Sequence, residues 1–264
     1  MDLKEFLEKR KSCRKYEDRE LTSQVLDKVK KLLEVENEKA LKHNVEYKLY
    51  GDSIYNGLEG VGGYSGVMIK SPNYITMNYK VKDKESLIYG AYYLEEIVGE
   101  LSQMGLGTCW ITLFGVDEEI KSKTFGTQDK IDFVLAFGYP ESKPTFEIDE
   151  YSARHGIEDF VYFEDFDTPC TVEQLYSYGI DEIFYYIKNA PSAYNSQPWR
   201  FLIKGGNIYL YIEDFKGDAN YTDSGIVMYY YTKMAELSSI DATWHLDDAP
   251  EVETNFKYIG STNF

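Results

Sequence analysis

The sequence predicts an α+β protein built as two tandem halves, and three observations carry that reading. A long helical period fills residues 85–103, a strand-like apolar run fills residues 131–138, and a glycine-bearing hairpin signal stands near residue 205. In addition, one outline of helix, glycine-bearing hairpin, long helix and Trp-containing strand recurs along the chain. The period exceeds 100 residues, so this is a degenerate duplication and not a solenoid. The division is drawn at residues 1–165 and 166–264.

Each element has its own justification. Residues 3–10 read as a short amphipathic helix with Leu3, Phe6 and Leu7 on one face. Thr22 is the expected N-cap of the next helix, where Val25, Leu26, Val29, Leu32 and Leu33 form a buried stripe. Residues 45–50 alternate like a strand. A glycine-rich stretch follows, and then Val67-Met68-Ile69-Lys70 and residues 74–79 are expected to pair as a hairpin across Ser71-Pro72-Asn73. Leu87, Ala91, Leu94, Val98 and Leu101 make the apolar face of the long helix, which Gly105 ends. Residues 108–112 and 131–138 read as strands, and residues 141–170, acidic and aromatic without a period, as the connection between halves. A helix over 181–188 precedes Pro191, and strands 201–204 and 208–211 flank Gly205-Gly206-Asn207. The last helix is expected over 223–238, with a short extended tail after Thr243-Trp244-His245.

Composition removes several function classes. The chain has 264 residues, 43% of them apolar and 25 of them tyrosine, enough to bury a full core. No run of 18 apolar residues exists, and the charged start lacks the apolar core of a signal peptide, so a cytoplasmic protein without a membrane span is expected. The net charge of −17 repels nucleic acid and anionic membranes, so neither is expected as a partner. Cys13, Cys109 and Cys170 form no metal-ligand spacing, and His43, His155 and His245 are scattered, so no metal site is expected. Gly57, Gly60, Gly62, Gly63 and Gly66 contain no GxxxxGK[ST] pattern, which leaves a flexible loop as the better reading.

Against that acidic background, five of the seven residues from Lys9 to Lys15 are cationic. On a helix, a spacing of four puts Arg10 and Arg14 on one side, and Ser12 adds a hydroxyl donor. An anion site and a solvated basic face both fit this run.

Three short motifs carry a resemblance. Arg10-Lys11-Ser12-Cys13-Arg14 resembles the N-terminal Arg-Arg-Ser-x-Arg motif of the nitroreductase family, with Lys11 in place of the second arginine. Pro191-Ser192-Ala193-Tyr194-Asn195-Ser196-Gln197-Pro198-Trp199 resembles that family's Pro-Ser-x-x-Asn-x-Gln-Pro-Trp motif. Gly105-Leu106-Gly107-Thr108-Cys109-Trp110 is similar to the family's turn beside the flavin N5, and Leu135 to Pro140 matches its closing strand. The resemblance implies one flavin mononucleotide (FMN) per chain. A phosphate dianion wants cations and hydroxyls, and a pyrimidine edge wants an amide. The implied cofactor contacts are Arg10, Lys11, Ser12 and Arg14, then Gly105, Gly107 and Thr108, and finally Pro191, Ser192, Ala193, Asn195 and Gln197. Which of Arg10 and Arg14 takes the phosphate stays open, and Tyr64 or Tyr194 is a candidate to shape the space over the ring.

The first half holds the basic and glycine-tryptophan motifs, the second only the Pro-Ser motif and an eroded Trp244 segment. The chain is therefore similar to single-chain nitroreductases that form an intramolecular pseudo-dimer around mixed or antiparallel sheet and long central helices. A monomer is expected over a homodimer. The implied activity is hydride transfer from NADH or NADPH to a small organic acceptor by ping-pong exchange, with no protein nucleophile. The alternative is an FMN-binding or sensory module with little reductase activity.

Overall fold

The secondary structure follows local rules that can be traced residue by residue. A computed structural model describes residues 3–142, 152–247 and 249–264. Helix α1 (Leu3–Lys9) buries Phe6 and Leu7. Helix α2 (Ser23–Ala40) begins where Thr22 accepts the Val25 N–H, as expected, and leads into strand β1 (Val45–Gly51). A short helix α3 (Ile54–Leu58) and an irregular loop then precede β2 (Asn73–Tyr79). Helix α4 (Lys84–Gln103) opens with a reciprocal capping box between Asp83 and Ser86. It closes in a Schellman motif: Leu106 N–H bonds to Leu101 O at 3.0 Å and Gly105 N–H to Ser102 O at 2.9 Å. Gly105 sits there at φ +77°, the left-handed geometry that glycine adopts without strain. Strand β3 (Gly107–Thr112), helix α5 (Glu118–Phe125) and strand β4 (Lys130–Gly138) follow.

These strands form one antiparallel sheet in the order β1-β2-β4-β3. From Ile131 to Gly138 every residue of β4 is buried, Asp132 with its ion-pair partner Lys82 included, which is why the run from Phe133 reads as apolar rather than alternating. The sheet belongs to a first compact unit, Met1–Ser86 with Tyr93–Ile148.

The second unit comprises Leu87–Tyr92 and Asp149–Phe264. It contains β5 (Val161–Phe163), α6 (Val172–Tyr178), α7 (Asp181–Ile187), β6 (Trp199–Lys204), β7 (Asn207–Ile212), α8 (Asp218–Leu237) and β8 (Lys257–Asn263). Its sheet runs β5-β6-β7-β8, with β5 parallel to β6 and the others antiparallel. Gly205 and Gly206, both at positive φ, make the expected hairpin turn between β6 and β7. Strand β5 lies N-terminal to residue 166, so the sheet of this unit reaches back across the division drawn from sequence.

One order of elements occurs in both units. In the first, α2, β1, β2, α4, β3 and β4 follow each other; in the second, α7, β6, β7, α8 and β8. The position of β3 against β4 is taken in the second unit by a single antiparallel bridge from His245 to Ser261. Trp244 thus lies outside any strand, contrary to expectation. Its indole N–H donates to Thr232 Oγ1 at 3.1 Å and its ring packs edge-on against Tyr231.

Other expectations need correcting. Residues 67–70 form no strand, and β2 pairs with β1 and β4 instead, because the loop's polar groups are held otherwise: the Tyr74 hydroxyl donates to Ile69 O and accepts from Ser71 N–H. Helix α8 starts five residues earlier than predicted. Its polar first turn is satisfied internally, with Asn220 Oδ1 accepting the Lys216 N–H and Ser224 Oγ bonding to Asn220 O. The expected 141–170 connection falls partly outside the described residues, and its remainder includes β5. Among the described residues no helix is long and apolar enough to cross a membrane.

Helix α8 is buried almost all round, and within the second unit it crosses the Leu87–Tyr92 turns of α4 at very short range. Gly225 permits this, since a Cβ there would overlap the Ile88 carbonyl oxygen and crowd Ala91. Beside it, the Tyr92 and Tyr229 rings meet edge to face at 5.6 Å. Gly225→Ala forces two helix backbones apart and is expected to destabilise the protein by about 2–3 kcal/mol in denaturant titration, despite alanine's better helix propensity.

Candidate functional site

The cationic run does not form the helix that its spacing suggested. Helix α1 stops at Lys9, and residues 10–16 are non-helical, with their backbone tied to the ends of two strands. Cys13 N–H donates to Thr108 O at 2.8 Å, at the start of β3. Tyr16 bridges Pro140, just past β4, while Glu17 N–H donates to Tyr139 O and Glu141 N–H to Lys15 O. The Tyr16 hydroxyl lies between the carbonyls of Cys13, at 2.8 Å, and Ala136, at 3.1 Å. Burial, with the neighbouring Cys13, pushes that phenol far above its ordinary range, so it stays a neutral donor.

Gly107 makes the docking possible. A Cβ at that position would stand 2.7 Å from both Cβ and Sγ of Cys13. With hydrogen alone there, the basic segment lies flat on the strand.

The result is a cavity of about 420 Å³ in the first unit. Lys9, Arg10, Lys11, Arg14 and Lys15 bring five cations to its walls against one carboxylate, Glu141. Ser12, Thr108, Ser102 and Ser142 bring hydroxyls. The structure therefore gathers Arg10, Lys11, Ser12, Arg14, Gly107 and Thr108 around one space, and leaves Gly105 in the preceding turn. Tyr64 does not line this cavity. Beneath the floor, burial raises the Cys109 thiol above its usual range, while the charges of Arg14 and Arg10 and a hydrogen bond with Ser12 offset part of the rise. Hydroxyl donors and cations around a volume larger than a phosphate group alone are chemistry suited to an anion.

The Arg10 guanidinium is set apart from the others. Its side chain is 6% exposed, and its Nε donates at 3.2 Å to Glu95, which is fully buried on α4. The second Glu95 oxygen accepts the Trp110 indole N–H at 3.0 Å. No signal in the sequence marked Glu95, because it occupies an ordinary position in a helical pattern.

In the second unit the Pro191 segment is a sequence of tight turns. Tyr194, Asn195 and Gln197 all have positive φ, at 55°, 55° and 46°. Ser192 Oγ accepts the Gln197 N–H at 2.9 Å. Asn195 accepts from Arg154 at 2.9 Å and donates to Ala153 O at 3.0 Å, while Arg154 also donates to Ala190 O. Gln197 accepts the His155 N–H and donates to Ala153 O. Arg154 was not legible as part of this segment, since it lies in the aperiodic stretch before β5. Pro191 and Ala193 are half-buried, and Tyr194 projects into solvent, 80% exposed. The Ala193 N–H donates to Asp223 of α8 at 2.9 Å. Burial raises the Asp223 carboxyl to about 7, only partly opposed by the hydrogen bonds from Ala193 and Asn220.

With this geometry in view, comparison with known proteins is informative. A family model described as Putative TM nitroreductase matches residues 2–235. The crystal structure of a putative nitroreductase from Thermotoga maritima shares the fold: it is 19% identical, with 100% of this chain and 94% of that chain covered and a TM-score of 0.65. An FMN-dependent nitroreductase from Clostridium difficile is 22% identical over 55% of this chain and 91% of its own, with a TM-score of 0.45. No curated protein matches.

Two outcomes test the construction of these segments. Gly107→Ala is expected to lift the basic segment from β3, raising the rate of tryptic cleavage within residues 9–15 about tenfold or more while the far-ultraviolet dichroism is kept. Asp223 tests the other segment. Its folded carboxyl holds a proton up to about 7, whereas the unfolded one ionises near 4, so its stabilising effect is full at low pH and lost as pH rises through 7. Relative to Asp223→Asn, the wild-type protein should therefore lose about 2–3 kcal/mol between pH 5 and 8, read as the difference between the two unfolding curves.

Proposed function

This chain belongs to the Putative TM nitroreductase family and is an oxidoreductase, and from that premise we propose that it is an FMN-dependent enzyme that uses NADH or NADPH to reduce a small organic acceptor. The observation that supports this most is the cavity in which Lys11, Ser12 and Arg14 stand together with Gly107 and Thr108. The donor set fits the group. A phosphate dianion needs cations and hydroxyls at one end, which the basic segment supplies, and the β3 turn brings Gly107 and Thr108 to the same walls. When bound, the flavin supplies the redox chemistry, taking reducing equivalents from a nicotinamide and passing them to an acceptor in ping-pong exchange.

The chain's own residues bind and orient. Lys11, Ser12 and Arg14 grip the phosphate end, and a positive charge from Arg10 or Arg14 favours added negative charge on the ring. Pro191, Ser192, Ala193 and Asn195, with Gln197 holding their turn, are proposed as further cofactor contacts. Asn195 suits an amide role: an amide oxygen has two lone pairs and its nitrogen two hydrogens, and Arg154 and Ala153 use one of each. No side chain is asked to act as a nucleophile. The remaining proposals follow from this: a duplicated ancestor, a monomer in solution, and a cytoplasmic setting where reduced nicotinamide is available.

The test is direct. Purified protein titrated with FMN should quench flavin fluorescence and saturate at one flavin per chain. Arg14→Met should raise the dissociation constant about tenfold or more, since it removes a charge-assisted contact to phosphate. Steady-state turnover with NADH or NADPH and a nitroaromatic then reads the activity. Failure to bind flavin sinks the proposal. Flavin that dithionite reduces but neither nicotinamide does would instead mark a binding module with little reductase activity.

A further inference from the structure

Resting on the flavin reading above, we propose that Glu95 is a positioning residue for the cofactor site: its buried carboxylate fixes the plane of the Arg10 guanidinium in the cavity wall and is itself fixed by Trp110. Three elements meet at this carboxylate. Arg10 follows α1 directly, Glu95 is on α4, and Trp110 is on β3, three residues after Gly107. The two Glu95 oxygens are used separately, Oε1 for Arg10 Nε and Oε2 for the indole N–H. The indole is in turn held edge-on by Phe133 at 5.6 Å. Trp110, the last residue of the glycine-tryptophan motif, thereby acquires a role: it locks the carboxylate that orients the arginine.

The physical case turns on which way the carboxylate acts. A negative charge beside Arg10 weakens its pull on an anionic ligand. Yet an arginine has five donors in a rigid fork, and contact through Nε fixes which edge of that fork meets the cavity. A long side chain left unpinned would have to be ordered when the ligand arrives, and that cost reduces affinity. Supporting partners behind a ligand-binding group commonly matter about tenfold or more for this reason. At a site where Glu95 is fully buried and Arg10 nearly so, a carboxylate with two donors is a well-made anchor, and orientation outweighs neutralisation. The two effects have opposite signs, which makes them separable.

The experiment uses the full chain, with FMN as the titrated ligand and nitrogen-15 NMR of the apo protein as a second reading. Glu95→Gln keeps the shape, but it has one acceptor oxygen where the two donors meet two, so its NH2 faces one donor and the other bond loses its charge assistance. In the apo protein the Arg10 Nε–H and Trp110 indole N–H resonances should be sharp, and in Glu95→Gln both should broaden or shift upfield. The FMN dissociation constant should rise about tenfold in Glu95→Gln, and change by less than about twofold when the same substitution is made in Arg10→Met, since coupled residues are non-additive. If Glu95→Gln does not fold, Glu95→Asp, which keeps the charge but shortens the reach, should show the same loss. Unchanged affinity overturns the proposal, as does an equal loss with and without Arg10, and tighter binding would make Glu95 a neutralising group instead. If the wild-type protein binds no FMN, the flavin reading fails separately. The Arg10 resonance then still decides whether Glu95 pins that side chain, and its persistence in Glu95→Gln overturns the pinning.

Discussion

Everything at the cationic site depends on backbone hydrogen bonds that hold a charged segment against the ends of β3 and β4. Five cations in seven residues repel one another, and in an acidic protein of net charge −17 carboxylates compete for them, as Glu5 does for Lys9 and Glu95 for Arg10. Cys13 N–H on Thr108 O, the Tyr16 bridge to Pro140 and the Tyr16 hydroxyl on two carbonyls hold the segment in place. The missing side chain at Gly107 lets Cys13 approach. Burial keeps the Tyr16 phenol protonated, so this anchor does not titrate across the physiological range. The charges are thereby presented by backbone geometry and not by helical spacing.

One order of elements occurs in the two units while its details differ. Both run helix, two strands, long helix and a closing strand, with sheet order β1-β2-β4 in one and β6-β7-β8 in the other. What differs is the fourth position. In the first unit the glycines at 105 and 107 turn the chain directly from α4 into β3. In the second, after α8, Ser239 takes the left-handed position and only His245 reaches the sheet, bonding Ser261 in both directions at 2.8 Å. Where the first unit has a full strand, the second has one bridged residue pair. That unit also carries β5, a parallel strand on the opposite edge of its sheet.

How much of this was legible from sequence divides along physical lines. Helix α4 was legible to within a residue at both ends, α2 at its Thr22 cap and buried stripe, and so was the turn at Gly205-Gly206. Buried strands with continuous apolar runs, such as β4, were equally clear. Strand β8 was legible only as part of an extended tail without bounds, because Lys257-Tyr258-Ile259-Gly260-Ser261-Thr262-Asn263 mixes small and polar residues whose burial depends on partners distant in sequence. The cluster of basic and glycine motifs in the first unit was foreseen as a set of residues, while its conformation was not. A spacing of four fits a helix and a non-helical segment alike once backbone partners from β3 intervene. Arg154 and Glu95 carried no local signal, since each matters through a contact 41 or 85 residues away.

The Pro191 segment raises a different question, namely why three non-glycine residues out of four should stay left-handed. Each such conformation costs on the order of 1 kcal/mol or more, least for asparagine and most for the bulky Tyr194. The cost is sustained because the turn is over-determined: Arg154 and Ala153 hold Asn195, His155 and Ala153 hold Gln197, Ser192 caps the Gln197 N–H, and Asp223 takes the Ala193 N–H from below. A simpler loop would join α7 to β6 without any of these contacts. The strain and the buried carboxyl beneath it are therefore better explained by a requirement on where the segment's backbone and small side chains point than by any need of the fold itself. That is the pattern expected of a segment shaped in advance for a ligand, with its conformational cost met during folding and not at binding.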